Sequence, residues 1–446
     1  MLRIVTTKSL LGIYKEALMH ATTDIQHNAS THTTSVTHDA IQSAPIEGTT
    51  TNTYTRITKD SPKYRRSLVA LFIGSLVAFG TEYCVQPVIP VIGAEFGLSP
   101  TAASLAVTVG LSGMAFAMIL IAMWSYRLHR KKTMVYGLSG ALALALGIAV
   151  SIQFEWILIM RLMQGMLLAG FPAMAITYIQ EEFDPRIIAT TVGVYVSGSS
   201  VGGLLGRFVL SALTDHLGWR YALMVLVALY GMAVLALVYL LPRPQHPLIK
   251  NSVRTSPIAS IREVVRNRNV LKACTLAAFI MGSCVCTYNF LSFVFLGAPY
   301  HWTQLEVGFL YSLYLVGTVS STLMGRYADE SSNKCAFTVS VLCMMAGMII
   351  SLAMPSVVKV FGIALYTFGF FGAHSTACSW SGKLDIGDNK AAISALYMLF
   401  FYIGASLFGT VGGLFLTSFS WAGIVGFNCV LALVALIIGK TIHQIP

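Results

Sequence analysis

The chain has 446 residues, 56% of them hydrophobic and only 11% charged, with a mean hydropathy of +0.72 and a formal net charge of +11. Soluble domains carry about a quarter of charged residues, so an ordinary soluble fold is excluded. The positive charge alone would suit a nucleic-acid partner, but its distribution, described below, removes that reading.

Residues 1–67 are dominated by Thr, Ser, His and Asn, as in TTDIQHNASTHTTSVTHDA, and are expected to be a disordered cytoplasmic tail. Within it, residues 8–19 have the pattern of a short amphipathic helix on a membrane surface, with a plain flexible tail as the alternative. The irregular spacing of His20, His27, His32 and His38 argues against a metal site. No cleavable signal is visible.

Apolar windows of about 20 residues follow, the length that crosses ~30 Å of hydrocarbon. The first, 68–90, contains Glu82, the only acidic residue deep in any window, flanked by Tyr83 and Gln86. The second, 101–124, is rich in small residues (Gly110, Ser112, Gly113) and runs into a basic loop holding Tyr126, Arg127, His129, Arg130 and Lys131. A third spans 133–152. The fourth, 156–180, carries Arg161-Leu-Met-Gln164-Gly165 and ends near Tyr178. The fifth, 187–211, holds Tyr195 and Gly198-Ser-Ser-Val-Gly202-Gly203, with Arg207 late in it and Asp215 as its expected partner at the rim. The sixth covers 219–241.

A Pro-rich, then basic segment, 242–269, is expected to be a cytoplasmic linker, with a short surface helix over 258–268. Six more windows follow it. These are 270–297, with Tyr288 and Asn289; 304–326, ending near Gly325 and Asp329; 335–354; 357–380, with His374 and Trp380; 390–415; and 421–440. Residues 441–446 form a second tail. Every window must be helical, since a bilayer offers no water to backbone groups. The expectation is an all-α membrane protein of twelve transmembrane helices.

With the N-terminus in the cytoplasm, all Lys and Arg but Arg161, Arg207, Arg220 and Lys359 fall in cytoplasmic segments. This is the positive-inside rule; it places both termini in the cytoplasm and leaves no need for nucleic acid. The windows also repeat. GFPAMAITY (170–178) matches GAHSTACSW (372–380), and Tyr195-x-x-Gly198-x-Ser200 matches Phe401-x-x-Gly404-x-Ser406. The loops at 122–132 and 325–334 match as well, so all three offsets lie between roughly 202 and 206 residues. Near-constant offsets imply two pseudo-symmetric six-helix bundles, 68–241 and 270–440, around a central site.

The eight cysteines lie mostly inside windows, and Cys284-x-Cys286 lacks the second pair of a zinc site, so no metal is expected. Neither a nucleophile elbow nor a G-x-x-x-x-G-K-[S/T] phosphate loop occurs, so neither an enzyme nor an ATP-driven pump is indicated and no cofactor is expected.

Three motifs resemble the major facilitator superfamily over about 68–440, most closely its bacterial inner-membrane drug and metabolite proton antiporters of the arabinose-efflux-permease-like kind. The family's loop G-x-L-x-D-R-x-G-R-K/R is matched only at its basic end, Arg130-Lys131, with Tyr126 where the acid stands; the second-half loop keeps Gly325 and Asp329. Arg161-x-x-Gln164-Gly165 fits the family's R-x-x-Q-G. Gly198 to Gly203 resembles the antiporter motif G-P-x-x-G-G, with Ser199 at the proline position.

The resemblance implies a monomeric, multi-pass transporter of the bacterial inner membrane, moving small molecules by alternating access. Arg130, Lys131, Gly198, Gly202, Gly203, Gly325 and Asp329 are then gating candidates.

Burial disfavours the charged form of Glu82, which suits it to carry a proton, tuned by Arg161 and Gln164, with His374 as a second titratable group. Recognition of a cationic substrate and static pairing with Arg161 remain open for Glu82. Tyr83, Gln86, Tyr178, Tyr195, Tyr288, Asn289 and Trp380 are candidates to line the cavity, as aromatic faces with a polar handle suit amphipathic solutes. Proton-coupled efflux is the leading expectation. Uptake of an anionic metabolite on Arg161 or Arg207, and a membrane sensor that has lost transport, are the alternatives.

Overall fold

The computed structural model of the protein describes residues 56–124, 127–245, 263–384 and 390–442. Among them are ten apolar helical segments long enough to cross a membrane. Two of these cannot be single passes. A helix of 53 residues would be about 80 Å long, well over twice the ~30 Å hydrocarbon core. The first breaks at Gly218 (φ 73°, ψ 156°) and the second, of 51 residues, at Phe419 and Ser420 (φ 53°, ψ −149°). The chain therefore makes twelve passes.

The passes are α1 (Pro62–Glu95), α2 (Pro100–Trp124), α3 (Arg130–Val150), α4 (Phe154–Glu182), α5 and α6 (188–217 and 219–240), α7 (Arg268–Leu296), α8 (Gln304–Glu330), α9 (Asn333–Ile350), α10 (Ser356–Lys383), and α11 and α12 (390–418 and 421–440). Here the end carrying the α2–α3, α6–α7 and α8–α9 connections is called the basic end, and the opposite one the far end.

Local chemistry sets the ends. Ser61 caps α1 by accepting from the Lys63 N–H, and Pro62 starts the helix where no backbone donor is needed. Helix thus begins before the expected tail boundary at 67. Ile57 also pairs with the α4 end, its N–H donating to Glu182 O at 2.7 Å. Thr303 and Glu306 form a capping box at the start of α8. Of the expected surface helix at 258–268, residues 263–266 are helical and 258–262 lie outside the described residues, as does 8–19.

Without a hydrophobic drive between helices in lipid, close backbone packing at small residues takes its place. Gly198, Gly202 and Gly206 of α5 lie against the backbone of Phe72, Leu76 and Gly80 in α1. The second half repeats this: Gly404 of α11 lies against Ala278 of α7. The Gly202–Leu76 contact is repeated about 202 residues later as Gly404–Ala278, so in packing Gly404 is the counterpart of Gly202, one helical turn from the Gly198 to which the sequence repeat matches it.

The halves α1–α6 and α7–α12 meet along α2 with α11 and α5 with α8. Ser112 and Ser406 hydroxyls are 2.5 Å apart, and those of Thr108 and Thr410 2.7 Å. Nearer the far end, Ser211 donates to Gln304 O at 2.5 Å, and Asp215 accepts the N–H groups of Gln304 (3.1 Å) and Leu305 (2.9 Å). Phe208 and Phe309 rings meet at 5.0 Å. These joints are central or towards the far end.

Candidate functional site

Two buried charges define the first part of the site. Glu82 lies in the last turn of the long part of α1, and Arg161 in α4; each is 1% exposed. Their nearest charged atoms are 3.6 Å apart, an ion pair but not a good hydrogen bond.

The guanidinium is held by other acceptors. Its Nε donates to Ala106 O of α2 (2.6 Å), Nη1 to Gln164 Oε1 (2.6 Å) and Nη2 to the backbone oxygen of Glu82 (2.8 Å). Gln164 in turn donates to Ala141 O of α3 at 2.9 Å. Three helices thus fix the arginine. Glu82 is treated differently: neither carboxylate oxygen has a hydrogen-bond partner among the described residues. A carboxylate buried in that position is costly.

Gly110 explains how α2 comes so close. A Cβ there would stand 2.7 Å from Glu82 Oε1 and 3.1 Å from Arg161 Nη2. Beside it, Gly165 meets the backbone of Gly110, and Gly113 that of Leu162. The small residues of α2 are therefore the floor of the charged pair.

The second part lies further towards the far end and spans both halves. Arg207 of α5 is 2% exposed and has no carboxylate partner among the described residues. The expected pairing with Asp215 does not form, because Asp215 caps the first turn of α8 instead. Arg207 donates to Gln86 Oε1 (2.8 Å), Gly203 O (2.8 Å) and Tyr314 OH (3.4 Å). Its guanidinium carbon lies 4.5 Å from the Tyr83 ring centre, 4.7 Å from Tyr314 and 5.3 Å from Tyr311. Aromatic faces and dipoles thus replace an anion around this cation. Gln86 carries the connection across the halves, donating to Asn289 Oδ1 at 2.7 Å. Tyr288 packs on Tyr314 (4.7 Å between ring centres) and shares a 2.6 Å hydrogen bond with Thr367.

Other singled-out residues lie elsewhere. Tyr195 stacks on Phe171. Tyr178 packs edge-on against Phe183 and donates to Pro242 O at 3.4 Å, at the basic end. Trp380 is buried against Phe337. His374 is in the second half, its Nδ1 3.1 Å from Tyr397 OH and its ring against Phe401.

Among the gating candidates, Arg130 makes a two-pronged pair with Glu181 (2.7 and 3.0 Å), and Lys131 donates to Val238 O (2.8 Å) and to Leu241 O. Gly198 and Gly202 pack on α1, whereas Gly203 lies beside the Arg207 guanidinium. Gly325 faces open space, Asp329 is exposed, and Tyr126 lies outside the described residues.

Sequence reasoning passes over the rings Tyr311 and Tyr314 and Gly110 as the cradle of Glu82; it names Arg207, but as a rim partner of Asp215 or a contact for an anionic metabolite, not as the centre of this cluster. A signal for Arg207 exists: it is a charge in an apolar window, the same ground on which Glu82 stands out.

The family model described as Major Facilitator Superfamily matches residues 71–385. An uncharacterized MFS-type transporter of Bacillus subtilis, YybF, is 34% identical over 382 residues, covering 86% of this chain and 94% of its own. The inner membrane transport protein YnfM of Escherichia coli is 31% identical over 389 residues, covering 87% and 93%. In fold, the chain is similar to a bacterial homolog of the human lysosomal transporter Spinster in an inward-facing, unoccupied conformation. That likeness has a TM-score of 0.71 at 16% identity, over 86% of this chain and 98% of the other.

Proposed function

The chain belongs to the major facilitator superfamily of secondary transporters, and from that premise we propose that it exports small organic compounds in exchange for protons. The observation that carries this reading is the Glu82 carboxyl, buried beside a guanidinium that is committed to other acceptors and left without a hydrogen bond of its own. A carboxyl so placed can load a proton from water on the outer side, carry it through the sealed state without a charge to solvate, and release it to water on the inner side.

Arg161 and Gln164 act as a fixed positive reference. When the halves rock and Glu82 is hydrated, the nearby guanidinium favours its ionised form and drives the proton off. Substrate then enters while the carboxylate is charged, and reprotonation on the other side accompanies its release. The glycine contacts of α5 on α1 lie within the first half and keep it one body, and the α2–α11 hydroxyl seam lies where the halves move against each other. Cytoplasmic termini and residence in a bacterial inner membrane complete the proposal, supported by the charge bias and by relatives such as YnfM.

The test is a growth-inhibition and metabolite-export screen of a deletion strain, followed by pH-driven transport in everted vesicles. The expected result is that Glu82→Gln abolishes the pH-driven component. Undiminished pH-driven transport in Glu82→Gln would sink the coupling role.

A second reading has its own observation: the Arg207 guanidinium is buried with no carboxylate partner among the described residues. A solute bearing a carboxylate, phosphate or sulfonate would supply the missing charge, and uptake of such an anion is then the direction to test. Counterflow with inverted gradients separates uptake from export. An anionic cargo predicts that Arg207→Gln weakens substrate affinity while leaving the pH dependence of the residual rate intact.

A further inference from the structure

At the basic end, on the outer side of the first half, α2, α3 and α4 enclose a cavity of about 460 Å³. Its walls fall into two layers. Arg127, His129 and Lys132 stand at the mouth, in the loop and first turn of α3. Ile121, Gly137, Met166 and Leu167 form an apolar floor one to two turns deeper, and Gly170 lies level with the first turn of α3. The deeper side opens to the surface that faces lipid, where Leu162, Met163, Leu167 and Tyr136 are exposed.

The cations of the run Arg130-Lys131-Lys132 have separate employments. Arg130 is spent on Glu181, and Lys131 on the carbonyls that end α6. Lys132 is exposed and makes no hydrogen bond or ion pair among the described residues; its side chain is left to the cavity. A positive-inside bias explains why cations gather at this end, but not why they crown an apolar cleft. The equivalent loop of the second half mixes signs, with Arg326, Asp329, Glu330 and Lys334, so the feature is not a general property of the fold.

We propose that this cavity binds an anionic phospholipid, its phosphate at Lys132 and Arg127 and one acyl chain along the groove floored by Gly137, Met166 and Leu167. The two layers match the two chemistries of such a molecule at the depths where a bilayer presents them. A soluble anion would leave the apolar floor open, and a zwitterionic lipid would bring an ammonium group against three basic residues. The small residues are part of the fit: Gly137 lies against the Leu167 carbonyl and Gly170 against Thr133, so α3 and α4 stay close and the groove stays narrow.

The test uses the full chain in detergent, with native mass spectrometry of bound lipid during titration with dioleoylphosphatidylglycerol or dioleoylphosphatidylcholine. The expected result is a single phosphatidylglycerol adduct, formed about tenfold more tightly than the phosphatidylcholine adduct. Lys132→Gln should reduce that preference about fivefold, while Lys63→Gln, at the same end but away from the cavity, should leave it unchanged. Thermal unfolding of both variants checks that the fold is kept. Equal adducts of the two lipids, or a preference unaffected by Lys132→Gln, would overturn the proposal. Displacement of the lipid by millimolar inorganic phosphate would overturn it as well, by showing a site for a soluble anion.

Discussion

At the scale of single residues, Glu82 and Arg161 are both buried charges, yet removing each should have a different cost. Arg161 binds three acceptors on three helices, and its loss leaves the buried Gln164 Oε1 unpaired and takes a second donor from two backbone oxygens. Arg161→Gln is expected to destabilise the protein by about 3 kcal/mol or more. Glu82→Gln breaks no hydrogen bond and should leave stability within about 1 kcal/mol of the parent while removing proton coupling. Thermal unfolding in detergent, with transport measured in parallel, checks the contrast. Equal destabilisation by the two changes would mean that the carboxylate holds the helices together. Both charges were legible in the sequence because an ionisable residue in an apolar window is rare. Their partners were not, as Ala106 and Ala141 contribute only backbone carbonyls, which any residue type would supply. Arg207 misleads for a related reason: Asp215 is close in sequence, but its oxygens are taken by the first turn of α8.

At the scale of elements, the corners between α5 and α6 and between α11 and α12 stand out. Gly218 and Ser420 occupy equivalent places, about 202 residues apart, and both have a positive φ with an extended ψ. That region is essentially reserved for glycine, so serine there is strained by about 1–3 kcal/mol. Ser420→Gly is therefore expected to raise the thermal stability by about 1 kcal/mol, and Gly218→Ala to lower it by a similar amount or more. No change in either would mean that neighbouring contacts set the corners. A tryptophan follows each corner and anchors it: Trp219 donates to Glu95 at 2.5 Å and Trp421 to Ser351 at 3.0 Å. The sequence marks these passes well, because hydropathy and length are whole-helix properties. It marks their ends less well. The expected fifth window stops at 211 although the helix runs on to Gly218, since Thr214 and Asp215 read as a loop and act as a helical turn with a cap for a neighbour.

At the scale of the molecule, the halves are pinned together towards the far end by Ser211, Asp215, Gln304 and the Phe208–Phe309 pair. A Ser211→Cys, Gln304→Cys double variant should cross-link under mild oxidation and stop transport, and reduction should restore it. Cross-linking that leaves transport running would show that this joint does not open in the cycle. Two halves were legible from the repeats; which end holds them together was not, because repeats report common descent of each half and say nothing about the contacts between them. The α2–α11 seam has a different character. Its two bonds, Ser112 with Ser406 and Thr108 with Thr410, involve four hydroxyls spaced one turn apart on each helix. A hydroxyl is donor and acceptor alike, so each can change partner or role with no charge stranded and no tautomer to rearrange. Such a seam behaves as a bearing: it holds the helices in register while offering little friction to their rotation. What resists that rotation is then the far-end joint of Ser211, Asp215 and Gln304.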